Sequence, residues 1–240
     1  MMQATDFEFR NRWWFFGAIF GASFSLFAFD HVPVGVRFAD RLAAAAQWSG
    51  PRALHAVFGG AAVIMLAAAL LRTWGSAYLG RRVVHDEAMH SNSLHADGPY
   101  RYVRNPLYLG NVLMSSAMGL FAPAIGCPLM MIGIPFFCYR LIGREEMALE
   151  AGQGERYRAF MRAVPRLWPS VQACIPAGGG VPDWINGLAA EAFFWSFALG
   201  VVGFALSLNI LWFYAGLLAS PLLSWLAGWA TRKHGRPGQI

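Results

Sequence analysis

The sequence has few charged residues and almost no lysine. Only 13% of its 240 residues are charged, whereas about a quarter are charged in an average soluble domain. Lys233 is the sole lysine, so the net charge of +6 comes almost wholly from arginine. Hydrophobic residues make up 57% of the chain, and the mean hydropathy is +0.41. These values exclude an ordinary soluble domain and predict a membrane protein.

Cysteine is also scarce, and its placement excludes two kinds of site. The three cysteines form no C-x-x-C pair and lie in or near apolar segments: Cys127, Cys138 and Cys174. Such spacing predicts neither a disulfide framework nor a zinc site. Three histidines lie five residues apart, which does not put them on one face of a helix: His85, His90 and His95. We therefore expect no metal.

Long apolar runs are plentiful, and they predict an all-α, polytopic membrane bundle. One bilayer crossing needs about twenty mostly apolar residues. Four runs stand out: 13–29, 54–79, 106–142 and 189–230. The last two runs are about twice as long as one crossing, so each should contain a break. One break is expected at 122–128, where two prolines bracket a glycine, and the other near 209–214. The sequence therefore predicts about six transmembrane helices.

The arginines are distributed unevenly between the two sides of this bundle. With the N-terminus inside, one side receives most of the basic residues and the other only three: Arg37, Arg41 and Arg52. The positive-inside rule then predicts N-in and C-in topology. Basic residues beside apolar runs indicate membrane orientation and not nucleic-acid binding. We expect an integral protein of a bacterial inner membrane, with its active site at the cytoplasmic face.

The segment 97–110, DGPYRYVRNPLYLG, is called the motif loop here. Its Asn-Pro pair predicts a helix with Asn105 as N-cap and Pro106 at the first helical position. The free N–H groups of that first turn favour an anion. Arg101 and Arg104 lie immediately upstream. Together these features predict a carboxylate or phosphate site at the membrane face.

The aromatic residues of the motif loop allow two interpretations. Gly110 has no side chain to keep a flat ligand away, and three tyrosines could offer rings and hydroxyls to it: Tyr100, Tyr102 and Tyr108. Alternatively, tyrosines and arginines form an interfacial belt and nothing more. Composition alone favours neither interpretation.

A second polar segment, 144–169, begins with the paired acids Glu145 and Glu146. Carboxylates at the end of a membrane helix gain nothing from its dipole. Glu146 also precedes Glu150 by four residues, a like-charge spacing that mildly destabilises a helix, so one of these acids should engage a partner elsewhere. The alternative is simple ion pairing with nearby arginines: Arg140, Arg144 and those of 156–166.

The two segments together resemble the integral-membrane methyltransferases of the isoprenylcysteine carboxyl methyltransferase and phospholipid methyltransferase group. The family pattern G-P-Y-x-x-x-R-H-P-x-Y-x-G corresponds to residues 98–110, GPYRYVRNPLYLG. A helical hairpin, the paired glutamates and a closing Tyr157, Val164-Pro165-Arg166 and Pro169 follow in the family's order. The resemblance covers about 54–169, and it favours the ligand site over the belt.

The resemblance implies S-adenosylmethionine as cofactor, held at the cytoplasmic face between the two motifs. It implies that the cofactor is bordered by Arg104, Asn105, Pro106, Tyr108 and Gly110 on one side and by Glu145 and Glu146 on the other. Three more residues of the motif loop are expected to bind it: Tyr100, Arg101 and Leu107. The residues expected to act in catalysis are Arg104, Glu145, Glu146 and Arg166. An anionic acceptor would be held by Arg101, Arg162 or Arg166, and a neutral acceptor would need Glu145 or Glu146 as base; the sequence does not choose between them. Asn105 replaces the family's histidine and cannot titrate, so an acid or base role is lost at this position.

The acceptor implied by the resemblance is a lipidic or small hydrophobic molecule from the bilayer, with a carboxylate, amine or thiol. Rival interpretations are an NADPH-dependent membrane reductase of related helical core and a non-enzymatic lipid-binding subunit. No glycine-rich strand-to-helix loop is present, which argues against a Rossmann fold. Expected partners are membrane lipids and the acceptor, without nucleic acid or metal, and the oligomeric state stays open.

The chain divides into four expected parts. Residues 1–53 form an anchor helix and a non-cytoplasmic loop, 54–169 the methyltransferase core, 170–188 a linker and 189–240 a C-terminal transmembrane hairpin with a basic tail. Two polar residues of this hairpin are either intramembrane contacts or lie at headgroup level: Glu191 and Asn209.

Overall fold

The computed structural model describes residues 3–79 and 96–234, the last four by backbone alone. Every regular element in these ranges is helical, which confirms the all-α prediction for them. The three histidines discussed above lie outside the described residues.

The helices follow in the order α1 Asp6–Arg10, α2 Arg12–Ser25, α3 Val34–Ala46, α4 Gly50–Leu79, α5 Pro106–Gly119, α6 Gly126–Gln153, α7 Glu155–Ala163, α8 Trp184–Ala190, α9 Ala192–Ser207 and α10 Leu211–His234. Short 3-10 turns occupy Leu26–Ala28 and Gly98–Arg101.

Among the described residues, three helices are long and apolar enough to cross a bilayer: Gly50–Leu79, Gly126–Gln153 and Ile210–Ala230. The pair α8 and α9, bent by 70° at Glu191, makes a fourth if it counts as one span. The other two predicted crossings fold into α2 and α5, which have 14 residues each and are about 21 Å long at 1.5 Å per residue. Six crossings therefore stay a prediction.

Both predicted breaks in the long apolar runs are present. Helix α5 ends at Gly119 and α6 begins at Gly126. Helix α9 ends at Ser207, after which Leu208 adopts a left-handed conformation with φ of 54° and closes the helix. Helix α6 runs on to Gln153, so Glu145 and Glu146 lie inside a helix rather than after one.

Helix α4 lies at the centre of the bundle and packs against α3, α5, α8 and α9. Small residues permit this close packing, as is usual between membrane helices: Ala61, Ala68, Ala69 and Gly75 are buried on α4. From α8, Gly187 approaches α4 so closely that a Cβ there would lie 2.9 Å from the Thr73 carbonyl oxygen. Fully buried Met65, Met118 and Met130 fill the space between α4, α5 and α6.

Residues 164–183, called the connecting segment here, run antiparallel to the motif loop. The Arg104 amide donates to the Pro165 carbonyl at 2.9 Å, and the Ser170 amide donates to the Tyr102 carbonyl at the same distance. Further along, the Asp97 carboxylate accepts hydrogen bonds from the Gly178 and Gly180 amides at 2.6 and 2.7 Å. Residues 170–180 of the expected linker are thus held against the motif loop, whereas its end, from Trp184 onwards, belongs to helix α8.

Candidate functional site

Helix α5 starts where the sequence predicts, and Asn105 is its N-cap residue as expected. Pro106 occupies the first helical position, and Asn105 has φ of −125° and ψ of 61°. The Asn105 side chain makes no capping hydrogen bond. Its amide nitrogen instead donates to Glu146 Oε1 at 3.3 Å and to the Arg166 carbonyl at 3.1 Å. The expected side-chain cap is therefore wrong, because Asn105 links the motif loop to the second polar segment.

Glu146 is the centre of a buried cluster of charges. Its Oε1 lies 3.2 Å from Arg104 Nε, and its Oε2 accepts a short hydrogen bond from Arg166 Nη2. Arg104 also donates through Nη1 to the Met161 carbonyl at 2.9 Å. One carboxylate therefore meets two guanidinium groups, and residues from both polar segments come together.

The neighbouring acid, Glu145, has a different environment. Its Oε1 accepts a hydrogen bond from the Tyr108 hydroxyl at 2.7 Å, which joins α6 to the first turn of α5. The side chain is half-buried, and the positive charge of Arg12 acts on its carboxylate. Of the paired acids, Glu146 is thus neutralised by arginines whereas Glu145 is held by a neutral tyrosine.

The arginines expected to pair with these acids mostly have other partners. Arg140 donates to Glu8 Oε2 at 2.8 Å, and Arg144 pairs with Asp6, so both hold the N-terminal segment on α6. Glu150 pairs with Arg158, with Nε and Oε1 2.7 Å apart. Simple ion pairing with the arginines named from the sequence therefore describes Glu150, which pairs with Arg158. For Glu146 it describes only the contact with Arg166.

Tyr100 and Arg101 lie against the connecting segment and the bundle rather than in an open anion site. Arg101 donates through Nε to the Ile175 carbonyl at 2.9 Å. Tyr100 is buried, and its hydroxyl has no hydrogen-bond partner among the residues described. Burial raises the pKa of Tyr100 well above its usual value, which keeps the hydroxyl neutral.

Gly110 does not face an open ligand space. A Cβ at this position would lie 2.3 Å from Cγ and 2.8 Å from Cδ of Arg72, so the arginine side chain fills the gap that the glycine leaves. The expectation that a flat ligand approaches Gly110 is therefore wrong. The glycine is needed here so that α5 can pack closely against α4.

The Arg72 side chain belongs to a polar cluster that the motifs did not reveal. It forms a buried, two-point ion pair with Glu191, and a third nitrogen reaches the Leu107 carbonyl. Glu191 is therefore a buried polar contact between helices, and its depth in the membrane stays a prediction. A single arginine and a single glutamate inside otherwise apolar stretches were the signal that could have found the pair.

Two further residues of the second motif, Tyr157 and Val164, are buried. Tyr157, Phe160 and Val164 form a small buried cluster beneath the connecting segment. Burial raises the pKa of Tyr157, so this hydroxyl is also neutral. Within the described ranges, no three histidine, cysteine or acidic side chains are grouped so that they could hold a metal ion.

Comparison with known proteins identifies the central segment. Residues 55–154 match the phospholipid methyltransferase family, which confirms the resemblance read from the motifs. No curated protein and no solved structure matches the chain. The matched region contains nearly all of α4, the motif loop, α5 and α6. The matched region is therefore similar to phospholipid methyltransferases, and it includes two of the helices that are long and apolar enough to cross a bilayer.

Proposed function

From the match of residues 55–154 to the phospholipid methyltransferase family, we propose that this protein transfers a methyl group from S-adenosylmethionine to a lipidic or small hydrophobic acceptor. The observation that carries the proposal is the convergence of the first turn of α5 with two unlike acids, Glu145 and Glu146. The reaction takes place where the membrane meets the cytoplasm, and the acceptor enters from the bilayer.

The residues present fit the amino-acid end of S-adenosylmethionine. Since Asn105 makes no side-chain cap, the first-turn N–H groups of α5 are available to a carboxylate, and Arg104 lies beside them. Arg104 Nε is buried without a hydrogen bond inside the described part of the chain, although Glu146 is near. Glu145, whose carboxylate accepts a hydrogen bond from the Tyr108 hydroxyl, suits the ammonium group.

The cofactor, when bound, supplies a methyl group on a positively charged sulfur for in-line displacement. The protein's own residues then have to align the acceptor and exclude water. A carboxylate acceptor needs no base, and the partly exposed Arg166 can hold it. An amine or thiol must lose a proton, and Glu145, which is bonded to the Tyr108 hydroxyl, can accept it. Glu146 keeps Arg104 and Arg166 in place.

The proposed topology keeps both termini in the cytoplasm and six crossing segments. The loop before α3 lies near the start of α6, because Asp30 accepts a hydrogen bond from the Ala124 amide. Glu146 lies twenty residues after Gly126 on the same helix, or about 30 Å away at 1.5 Å per residue. This length equals the hydrocarbon core, so the acids and the arginine-rich segments occupy the end that the positive-inside rule assigns to the cytoplasm.

The proposed parts of the chain follow from this topology. Residues 1–53 anchor the chain, 54–169 form the methyltransferase core, 170–188 connect, and 189–240 form a C-terminal hairpin that closes the acceptor side. The acceptor enters between the core and this hairpin.

The test is calorimetric titration of the detergent-purified protein with S-adenosylmethionine and, separately, with NADPH. We expect the first to bind and the second not to bind. Binding of NADPH alone would favour a membrane reductase, and binding of neither would favour a lipid-binding subunit; either result rejects the proposal.

A set of variants then assigns the role of Glu145. We expect Glu145→Gln and Tyr108→Phe to weaken S-adenosylmethionine binding, because they remove the acid or the hydroxyl that orients it. Tyr214→Phe is the matched control, since Tyr214 is exposed on α10. If Glu145→Gln binds the cofactor normally but loses turnover, Glu145 acts as the base and not as the ammonium ligand.

A further inference from the structure

Arg72 and Glu191 form the most deeply buried ion pair among the described residues. Arg72 Nε lies 2.6 Å from Glu191 Oε2, and Arg72 Nη2 lies 3.2 Å from Oε1. Ser76, one turn further along α4, donates to the same Oε1. Both carboxylate oxygens are therefore occupied, and Arg72 is fixed in one orientation.

The remaining end of the Arg72 guanidinium holds α5. Its Nη1 donates to the Leu107 carbonyl and to Asn111 Oδ1, each at 2.8 Å. The arginine stem fills the space opposite Gly110. Arg72 therefore contacts positions 107, 110 and 111, which form one face of the first two turns of α5, while the neighbouring Tyr108 reaches Glu145 on α6.

The C-terminal helices supply the other half of this arrangement. Glu191 lies at the 70° bend between α8 and α9. The guanidinium carbon of Arg72 lies over the ring of Phe194 on α9, 3.7 Å from the ring centroid. Both residues lie beyond the segment 55–154 that matches the methyltransferase family. The hairpin outside the family core is thus connected directly to the helix that starts with the cofactor motif.

Stability alone does not require such a pair. Removing two charged groups from water costs a large desolvation free energy. Well-packed apolar residues of similar volume can therefore often replace a buried ion pair without loss of stability. The hydrogen bonds from Arg72 to α5, however, have no apolar substitute.

We propose that Arg72 and Glu191 are positioning residues for the methyltransferase site. Glu191 fixes the guanidinium of Arg72, and Arg72 fixes the first two turns of α5 relative to the acids of α6. The C-terminal hairpin is in this way an essential part of the cofactor site, although it contacts no cofactor. This inference rests on the proposed function, because the positioned site is the one assigned to S-adenosylmethionine.

The test replaces the pair by apolar residues, Arg72→Met together with Glu191→Leu, in the full chain. The matched control is Trp195→Phe, which removes the 2.9 Å hydrogen bond from Trp195 to Thr73 across the same α4 and α9 interface and leaves the contacts to α5 intact. Three quantities are measured for each protein in detergent: the thermal midpoint, the affinity for S-adenosylmethionine and the hydrogen exchange of the peptide that contains 105–112.

We expect the double variant to keep its thermal midpoint within a few degrees, to bind S-adenosylmethionine about tenfold more weakly and to exchange faster over 105–112. A tenfold loss corresponds to about 1.4 kcal/mol. The control should match the unaltered protein in affinity and exchange. Unchanged affinity and exchange in the double variant would overturn the proposal, since the pair would then be structural only.

Arg72→Lys keeps the proposal testable if the double variant does not fold. Lysine preserves the charge opposite Glu191 but lacks the planar fork that reaches Leu107 and Asn111 together. It should show the same loss of affinity, and an affinity equal to that of the unaltered protein would contradict the inference. If the unaltered protein binds no S-adenosylmethionine, the proposed function fails, and hydrogen exchange over 105–112 alone decides the positioning role.

Discussion

Neutralising Glu146 should destabilise the protein far more than neutralising Glu150, four residues later on the same helix. The Glu146 side chain is 5% exposed, and its partners Arg104 and Arg166 are 10% and 19% exposed. Glu146→Gln keeps the volume and an acceptor oxygen but removes the negative charge that faces Arg104 and Arg166. Removal of one partner from a buried pair costs about 3–5 kcal/mol.

The lower end of this range is appropriate, because glutamine still accepts hydrogen bonds and Arg166 keeps some contact with water. For a chain of this length, 1 kcal/mol shifts the thermal midpoint by about 2–4 °C, so about 3 kcal/mol predicts a decrease of about 6–12 °C. The midpoint is followed by intrinsic tryptophan fluorescence of the detergent-solubilised protein during heating.

Glu150→Gln is the matched control for this measurement. Glu150 is 37% exposed and its partner Arg158 is 52% exposed, so water screens their attraction and the midpoint should scarcely change. Equal decreases for Glu146→Gln and Glu150→Gln would refute the reasoning, because burial would then have no influence on the value of the ion pair.

Two further predictions concern a close contact and a titration. Gly110→Ala should cost about 1–3 kcal/mol of stability, because its Cβ would overlap the stem of Arg72, whose head group is fixed; Gly60→Ala, with nothing within 4 Å, should cause no loss in the same thermal assay. Hydrogen bonds from the connecting segment lower the pKa of Asp97 below its usual 3.8. The docking of that segment should therefore be constant above about pH 4 and weaken as pH falls through the lowered pKa. Hydrogen exchange of 176–182 at several pH values measures this, and Asp97→Asn should abolish the dependence.

Local signals in the sequence predicted the parts of the fold that depend on neighbouring residues. The prolines around Gly126 predicted the break between α5 and α6, and the Asn105-Pro106 pair predicted the start of α5. Both predictions were possible because proline restricts its own backbone and that of the preceding residue. The family pattern brought the motif loop and the paired acids into one expected site, and the structure does bring Asn105 and Glu146 into contact.

Features that depend on distant residues were not predictable in the same way. The Asn105 side chain could cap its own helix or form a hydrogen bond with Glu146. The packing of α5 on α6 determines which of the two forms, and here it is the bond with Glu146. Gly110 appeared to leave room for a ligand, because no local pattern shows that Arg72 fills the space. Nothing in the spacing of Arg72 and Glu191, 119 residues apart, indicates that they meet.

The antiparallel course of the connecting segment has a consequence for biosynthesis. The backbone amide of Arg104 donates to the Pro165 carbonyl, and Glu146 pairs with Arg166. Since Pro165 and Arg166 follow α6 in the chain, these two contacts cannot form until synthesis has passed well beyond α6. Glu191 has to emerge later still before Arg72 is neutralised. The helices that match the family would therefore enter the membrane first with their charged groups uncompensated, and the site would be completed only when the last helical hairpin arrives.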